Sequence, residues 1–142
     1  MTIKTYLGFD VGTKRTGIAI ANSLTSHASG IETILHNNDG STNWAQLEKT
    51  INKHQPDKFI VGVPLDKDNK AQEMTFIARS FGRKLEKRFD KEVIFIDEYL
   101  SSSEAKKQLK WHYAHKNADR GDVDKRSAKL ILQTWLNETT YD

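Results

Sequence analysis

Thr5 to Asn22 reads TYLGFDVGTKRTGIAIAN. Tyr6, Leu7 and Phe9 form one short apolar run and Ile18 to Ala21 form another, with Gly12 and Gly17 between them. The pattern predicts two strands joined by a tight turn, with the two glycines letting it fold close. Asp10 stands where the first run stops. A carboxylate ending an apolar strand is costly to bury unless it is paired, hydrogen-bonded or ligated to a cation. Asp10 therefore needs a partner from elsewhere in the chain.

Working outward, Ser23 to Gly30 reads as a polar connection and Ile31 to Leu35 as a third strand, which makes a three-stranded antiparallel meander. Asn37 to Ser41 is a turn, and Ser41, Thr42 or Asn43 is placed to cap a helix carrying Trp44, Leu47 and Ile51 before Pro56 stops it. Lys58 to Pro64 is a continuous apolar run, expected as a buried strand at the sheet centre. After a polar loop, Asp66 to Lys70, a helix runs through Met74, Ile77, Ala78, Phe81 and Leu85 to about Phe89-Asp90. Glu92 to Glu98 is a further strand, so strand, helix, strand implies a right-handed parallel crossover. Ser101 to Glu104 resembles a capped helix start leading to Leu109. Lys110 to Gly121 has no clean period and reads as an exposed loop, rich in basic and aromatic side chains. Asp122 to Asn137 gives a closing helix with Ala128, Ile131, Leu132, Trp135 and Leu136 as its buried stripe, and Asp122 or Asp124 in or just before its first turn.

The 142 residues fit one domain, 1–142. With 37% hydrophobic and 29% charged residues, the chain can form a core and still be well solvated. No apolar run approaches the roughly 20 residues of a membrane helix, and Met1 to Lys4 lacks a signal-peptide core, so a cytoplasmic home is expected. The absence of cysteine excludes disulfides and thiolate metal sites. Lysine and arginine number 22 against 19 acidic residues, a net charge of +3, which permits nucleic-acid binding without demanding it. The basic clusters at Lys14-Arg15, Arg79 to Lys91 and Lys106 to Arg126 read most simply as solvated faces.

Acidic residues mark three places: Asp10, the pair Asp97-Glu98, and Asp124. Carboxylates at the ends of neighbouring strands and on a helix crossing that edge can converge, and converged carboxylates repel one another unless a cation joins them. Hard oxygen ligands suit Mg2+ or Mn2+, and two such ions support in-line hydrolysis of a phosphodiester. Each acid also has a structural reading: Asp10 shapes the turn, Asp97-Glu98 ends a strand, and Asp124 favours a helix N-terminus through its dipole.

Gly8 to Ala19 (GFDVGTKRTGIA) resembles the opening motif of the YqgF family, also called RuvX or Holliday-junction-resolvase-like. Val61 to Leu65 resembles the family's G-x-P strand end, Asp97 to Ser101 (DEYLS) its D-E-R-L-[ST] motif, and Asp124 to Leu136 (DKRSAKLILQTWL) its closing helix. The resemblance spans nearly the whole chain. It implies an α/β, RNase H-like (RuvC-like) fold: a mixed five-stranded sheet with strands 1–3 antiparallel, flanked by helices. It also implies a nuclease that processes pre-16S ribosomal RNA, with Asp10, Glu98 and Asp124 as metal-binding catalytic acids for two ions, Mg2+ or Mn2+. Asp97 is the alternative to Glu98, because strand alternation sends the two to opposite faces. Tyr99 stands where the family usually has arginine, which removes a bidentate phosphate donor, and Ser127 where alanine is usual. Lys14 and Arg15 match the family pattern and are placed to hold substrate phosphate.

Other readings start from the same residues. Asp-x-Gly-Thr also resembles the phosphate hairpin of actin-like kinases and ATPases, but those close nucleotide between two domains of this kind. A non-catalytic nucleic-acid module would use the loop with Lys110, Trp111, Tyr113, Lys116 and Arg120 for stacking and phosphate contacts. Trp111, Lys116 and Arg120 are nucleic-acid-binding candidates in the enzyme reading as well. A resolvase of branched DNA is the remaining alternative, and symmetric cleavage by one would need a dimer; the state expected here lies between monomer and weak dimer. His112 and His115 lack a third zinc ligand at useful spacing, and Trp44 and Trp135 belong to apolar stripes.

Overall fold

The structure, a computed structural model, describes residues 2–64, 70–97 and 120–139, with side chains in the last segment from residue 124 onward. In chain order these residues form β1 (Thr5–Val11), β2 (Arg15–Asn22), β3 (Ser29–Leu35), α1 (Trp44–His54), β4 (Lys58–Val63), α2 (Glu73–Phe89), β5 (Glu92–Asp97) and α3 (Arg120–Thr139). The five strands make one mixed sheet in the order β3-β2-β1-β4-β5. β1, β2 and β3 pair antiparallel, and β4 pairs parallel with both β1 and β5. This is the expected five-stranded α/β architecture, with two differences at the centre and the edge. The middle strand is β1, with β4 beside it, because β1 pairs with both the meander and the parallel half. β3 starts at Ser29, two residues earlier than its apolar run.

Alternation along β1 divides the core in two. Leu7, Phe9 and Val11 point to one face, where they join Leu47 and Ile51 of α1 and Ala78, Phe81 and Leu85 of α2. The other face carries Ala19, Ala21 and Ile60 against Ala128, Ile131, Leu132, Trp135 and Leu136 of α3. Helices thus cover both faces, and the parallel half is buried as such sheets require.

Local signals explain the helix ends. Asn43 caps α1, its side chain accepting from Gln46 N–H at 3.2 Å, and Gln55 closes the helix in a left-handed conformation (φ 49°) ahead of Pro56. At the start of α2 the buried Thr75 hydroxyl accepts from Gln72 N–H at 2.9 Å and donates to the Pro64 carbonyl, tying the helix to the end of β4. The apolar stripe of α2 is narrower than expected: Ile77 lies at the surface, as does its neighbour Phe76, which the helical spacing does not assign to the stripe, and Thr75 and Gly82 are buried. α3 begins at Arg120, so Arg120 and Gly121 are helical rather than part of a loop, and Asp124 sits in the second turn. The helix dipole acts mainly within the first turn, which weakens the purely structural reading of Asp124. The expected helix from Ser101, most of the basic loop and most of the Asp66–Lys70 loop lie outside the described residues.

Candidate active site

Asp10 is the penultimate residue of β1 and pairs directly with Gly17 of β2. Residues opposite one another in an antiparallel pair project to the same face. That face is the one covered by α3: a methyl group added to Gly17 would lie 2.1 Å from the Asp124 carbonyl oxygen. Gly17 is therefore not a turn residue. It is a mid-strand position kept bare so that the backbone of α3 can pass at Asp124. Gly8 on β1 and Gly30 on β3 repeat the device against Leu132 and Lys125, with an added Cβ at 2.8 Å in both cases. Three strands thus offer a flat seat to one helix, and the seat's upper end delivers Asp124 beside the strand position that carries Asp10.

Arg15 joins them. It lies two residues before Gly17 on β2, hence on the same face, and its Nε is 3.4 Å from Asp124 Oδ2. Both side chains are about four-fifths buried (21% and 23% exposed), so this is an ion pair shielded from bulk water rather than a surface contact. Arg15 is thus engaged with a carboxylate, while Lys14, next to it in the turn, is exposed.

The turn is braced by a residue that sequence reasoning missed. Gly12 N–H donates to the Arg15 carbonyl at 2.9 Å. His36, just past the end of β3, donates its backbone N–H to the Lys14 carbonyl at 2.9 Å, and its ring nitrogens lie 3.1 Å from the Thr13 carbonyl (Nδ1) and 3.0 Å from Thr16 Oγ1 (Nε2). A lone histidine after a strand carries no signal for this; only the β2–β3 register places it. Gln133 was likewise silent. Its Oε1 accepts from Ala28 N–H at 2.9 Å and its Nε2 donates to the Ser26 carbonyl at 3.2 Å, clamping the β2–β3 connection onto α3.

Asp97 ends β5 in register with Val63. It shares its strand face with Val93 and Phe95, which touch Gly82 of α2, so it lies on the opposite side of the sheet from Asp10 and Asp124. Glu98, Tyr99, Trp111 and Lys116 lie outside the described residues, as does the side chain of Arg120. Among the described residues no group of three His, Cys, Asp or Glu side chains is placed to hold a metal ion. Asp10 nevertheless lies on the sheet face that α3 covers at Asp124, and magnesium sites use one or two carboxylates completed by water and substrate phosphate. The donor set fits such an ion.

Comparison with known proteins agrees with this geometry. The family model for RuvX, described as Holliday junction resolvase, matches residues 4–138. A protein of Aeromonas salmonicida named "Putative pre-16S rRNA nuclease" is 43% identical over 138 residues, covering 97% of this chain and 98% of its own. A protein of the same name from Aeromonas hydrophila subsp. hydrophila is 41% identical with the same coverage. Among solved structures, Thermus thermophilus RuvC in complex with a Holliday junction substrate superposes with a TM-score of 0.63 at 12% identity, over 97% of this chain and 96% of that one, a likeness of fold. With the RNase H-like sheet, the Asp10 hairpin and the helix seated on it all in place, this chain belongs to the RuvX family.

Proposed function

We propose that this protein is a metal-dependent endonuclease that hydrolyses phosphodiester bonds in structured RNA, acting in the cytoplasm on the precursor of 16S ribosomal RNA. The observation that carries the reading is the approach of α3 to β2 at Gly17, which sets Asp124 beside the position of Asp10. Full-length relatives named for that activity support the RNA substrate.

Asp10 and Asp124 would hold a divalent cation, Mg2+ or Mn2+, and we assign Glu98 as the third carboxylate because Asp97 falls on the other face of the sheet. When bound, the ion supplies a lowered pKa for the attacking water and charge stabilisation at the phosphate, with a second ion serving the leaving oxygen. The chain's own residues do the positioning. Arg15 sets a fixed positive charge beside Asp124, so the site's net negative charge is moderated before substrate arrives. Lys14, on a turn held by His36, presents a mobile ammonium at the rim for a substrate phosphate. Trp111, Lys116 and Arg120 are assigned to contacts with the nucleic acid beyond the cleaved bond.

The family description favours a second substrate, the four-way DNA junction. One experiment separates the readings: labelled precursor RNA and labelled branched DNA are incubated with the protein and with Asp10→Asn, with Mn2+ or with chelator. Metal-dependent RNA cleavage lost in the variant supports the proposal. Cleavage of the junction alone moves it to the resolvase, and binding without cleavage by either protein reduces it to a binding module.

A further inference from the structure

The helix α2 has an outer face unlike a merely solvated one. Phe76, Arg79, Ser80, Arg83, Lys84 and Lys87 line one open groove of about 430 Å³. They recur at three- and four-residue intervals, so they form a single stripe, opposite the buried Ala78, Phe81 and Leu85. Among the described residues no carboxylate forms a salt bridge with Arg79, Arg83, Lys84 or Lys87. Arg79, Arg83 and Lys87 are spaced i, i+4, i+8, and each such like-charge step destabilises a helix. A solvated face ordinarily mixes signs and avoids that cost. At the N-terminal end of the stripe Phe76 is 61% exposed, a large aromatic with no apolar cover. Arg88, by contrast, is already used: its guanidinium lies 4.3 Å over the Trp44 ring.

Four cations along some three turns of helix, led by an exposed ring, are complementary to a polyanion that also offers flat apolar faces. We propose that this stripe binds a single-stranded flank of the RNA substrate, with Arg79, Arg83, Lys84 and Lys87 meeting successive phosphates and Phe76 stacking on an unpaired base. Unpaired bases are required for the stacking, since a duplex hides their faces. α2 and the Asp10–Asp124 site lie on opposite faces of the sheet, so the flank would pass around the sheet to reach it. The stripe is therefore a contact separate from the cleavage site. It rests on the RNA-processing reading for the identity of the strand, not for its chemistry.

The test is fluorescence anisotropy in chelator with the full chain and two labelled RNAs, a blunt hairpin and the same hairpin carrying a single-stranded flank. Arg79→Gln/Arg83→Gln/Lys87→Gln should weaken binding of the flanked RNA at least about tenfold and lower its salt slope by about 2, as expected for three phosphate contacts on a single strand. Phe76→Ala should weaken it by about tenfold with an unchanged slope. Both should leave the blunt hairpin within about twofold. Lys49→Gln/Lys53→Gln on the exposed face of α1 is the control for net charge. Equal weakening of both RNAs, equal weakening by the control, or no weakening at all would overturn the proposal; because the substituted side chains are exposed, unchanged circular dichroism is expected and excludes misfolding. If the variants bind normally while Asp10→Asn loses cleavage, the stripe fails and the nuclease stands. If the flank is bound as described but no RNA is cut with manganese, the reverse holds. A wild-type protein that binds neither RNA ends both.

Discussion

Arg15 and Asp124 form a shielded ion pair, Nε to Oδ2 at 3.4 Å, between a strand of the opening hairpin and the helix that closes the fold. The guanidinium sits where it both offsets a carboxylate and competes with any other cation for that oxygen. Replacing Arg15 by Gln should therefore tighten Mn2+ binding, by about tenfold, because a unit charge about 4 Å away is removed from a partly buried site. The same change should weaken binding of nucleic acid. Calorimetric titration of the metal and anisotropy with RNA would show the two effects moving in opposite directions; a joint loss would mean that Arg15 merely holds the helix in place.

Asp10→Asn keeps shape and volume, so the fold should survive with little change in Tm. Cleavage should fall by at least about a hundredfold, since even residues behind metal ligands commonly cost 10- to 100-fold. Cleavage assays and metal titration on the same preparation check both halves. Asp97→Asn, on the other side of the sheet, should leave metal affinity within about twofold.

Gly17→Ala brings a methyl group to 2.1 Å from the Asp124 carbonyl, a contact no rotamer change can relieve. α3 must lift at that end, at a cost of about 1–3 kcal/mol. Urea unfolding should reveal the lost stability, and metal affinity should fall although no ligand has been altered. A variant as stable as wild type would contradict the close seat.

His36→Ala removes both ring contacts that brace the Lys14 turn while leaving the backbone bond to Lys14. A loss of about 1–2 kcal/mol is expected. Faster amide exchange should be confined to Thr13 through Thr16 and their neighbours.

Asp39 provides a pH probe in the turn between β3 and α1. Hydrogen bonds from the Ser41 hydroxyl and then its backbone N–H hold the Asp39 carboxyl below its ordinary value. A depressed folded value means that the turn is stabilised above the unfolded carboxylate range and loosens as pH falls through the folded one. An NMR titration of Asp39 should show the lowered midpoint, and Ser41→Ala should move it back up.

The parts of this fold that were legible beforehand depend on period. Alternation and apolar runs located all five strands, and the paired strand signals around α2 implied the parallel crossover that β4 and β5 make. What remained hidden depends on partners distant in sequence. The continuous apolar run of β4 pointed to it as the sheet centre, and only the pairing puts β1 there; helical spacing likewise admitted Ile77 to a stripe although it lies at the surface. Gly17 shows the limit most clearly. Within its own segment it suggests a turn, and only the arrival of α3 shows why a side chain is forbidden there. At the site, the arrival of the last helix on the sheet face of Asp10 follows from the order of the motifs. The face of Asp97 and the attachment of Arg15 to Asp124 were not, because each is fixed by a register or a rotamer.

The glycine seat also sets a schedule. During synthesis Asp10 emerges early and α3 last of the described elements, and Asp124 can take its place only after the backbone of α3 has settled on Gly8, Gly17 and Gly30. The sheet can pair beforehand, yet it holds only half of the carboxylate pair. A chain that lacks the last helix therefore lacks the residue that Gly17 is kept bare to admit, and Asp124 reaches the sheet face of Asp10 in one step, with the docking of α3.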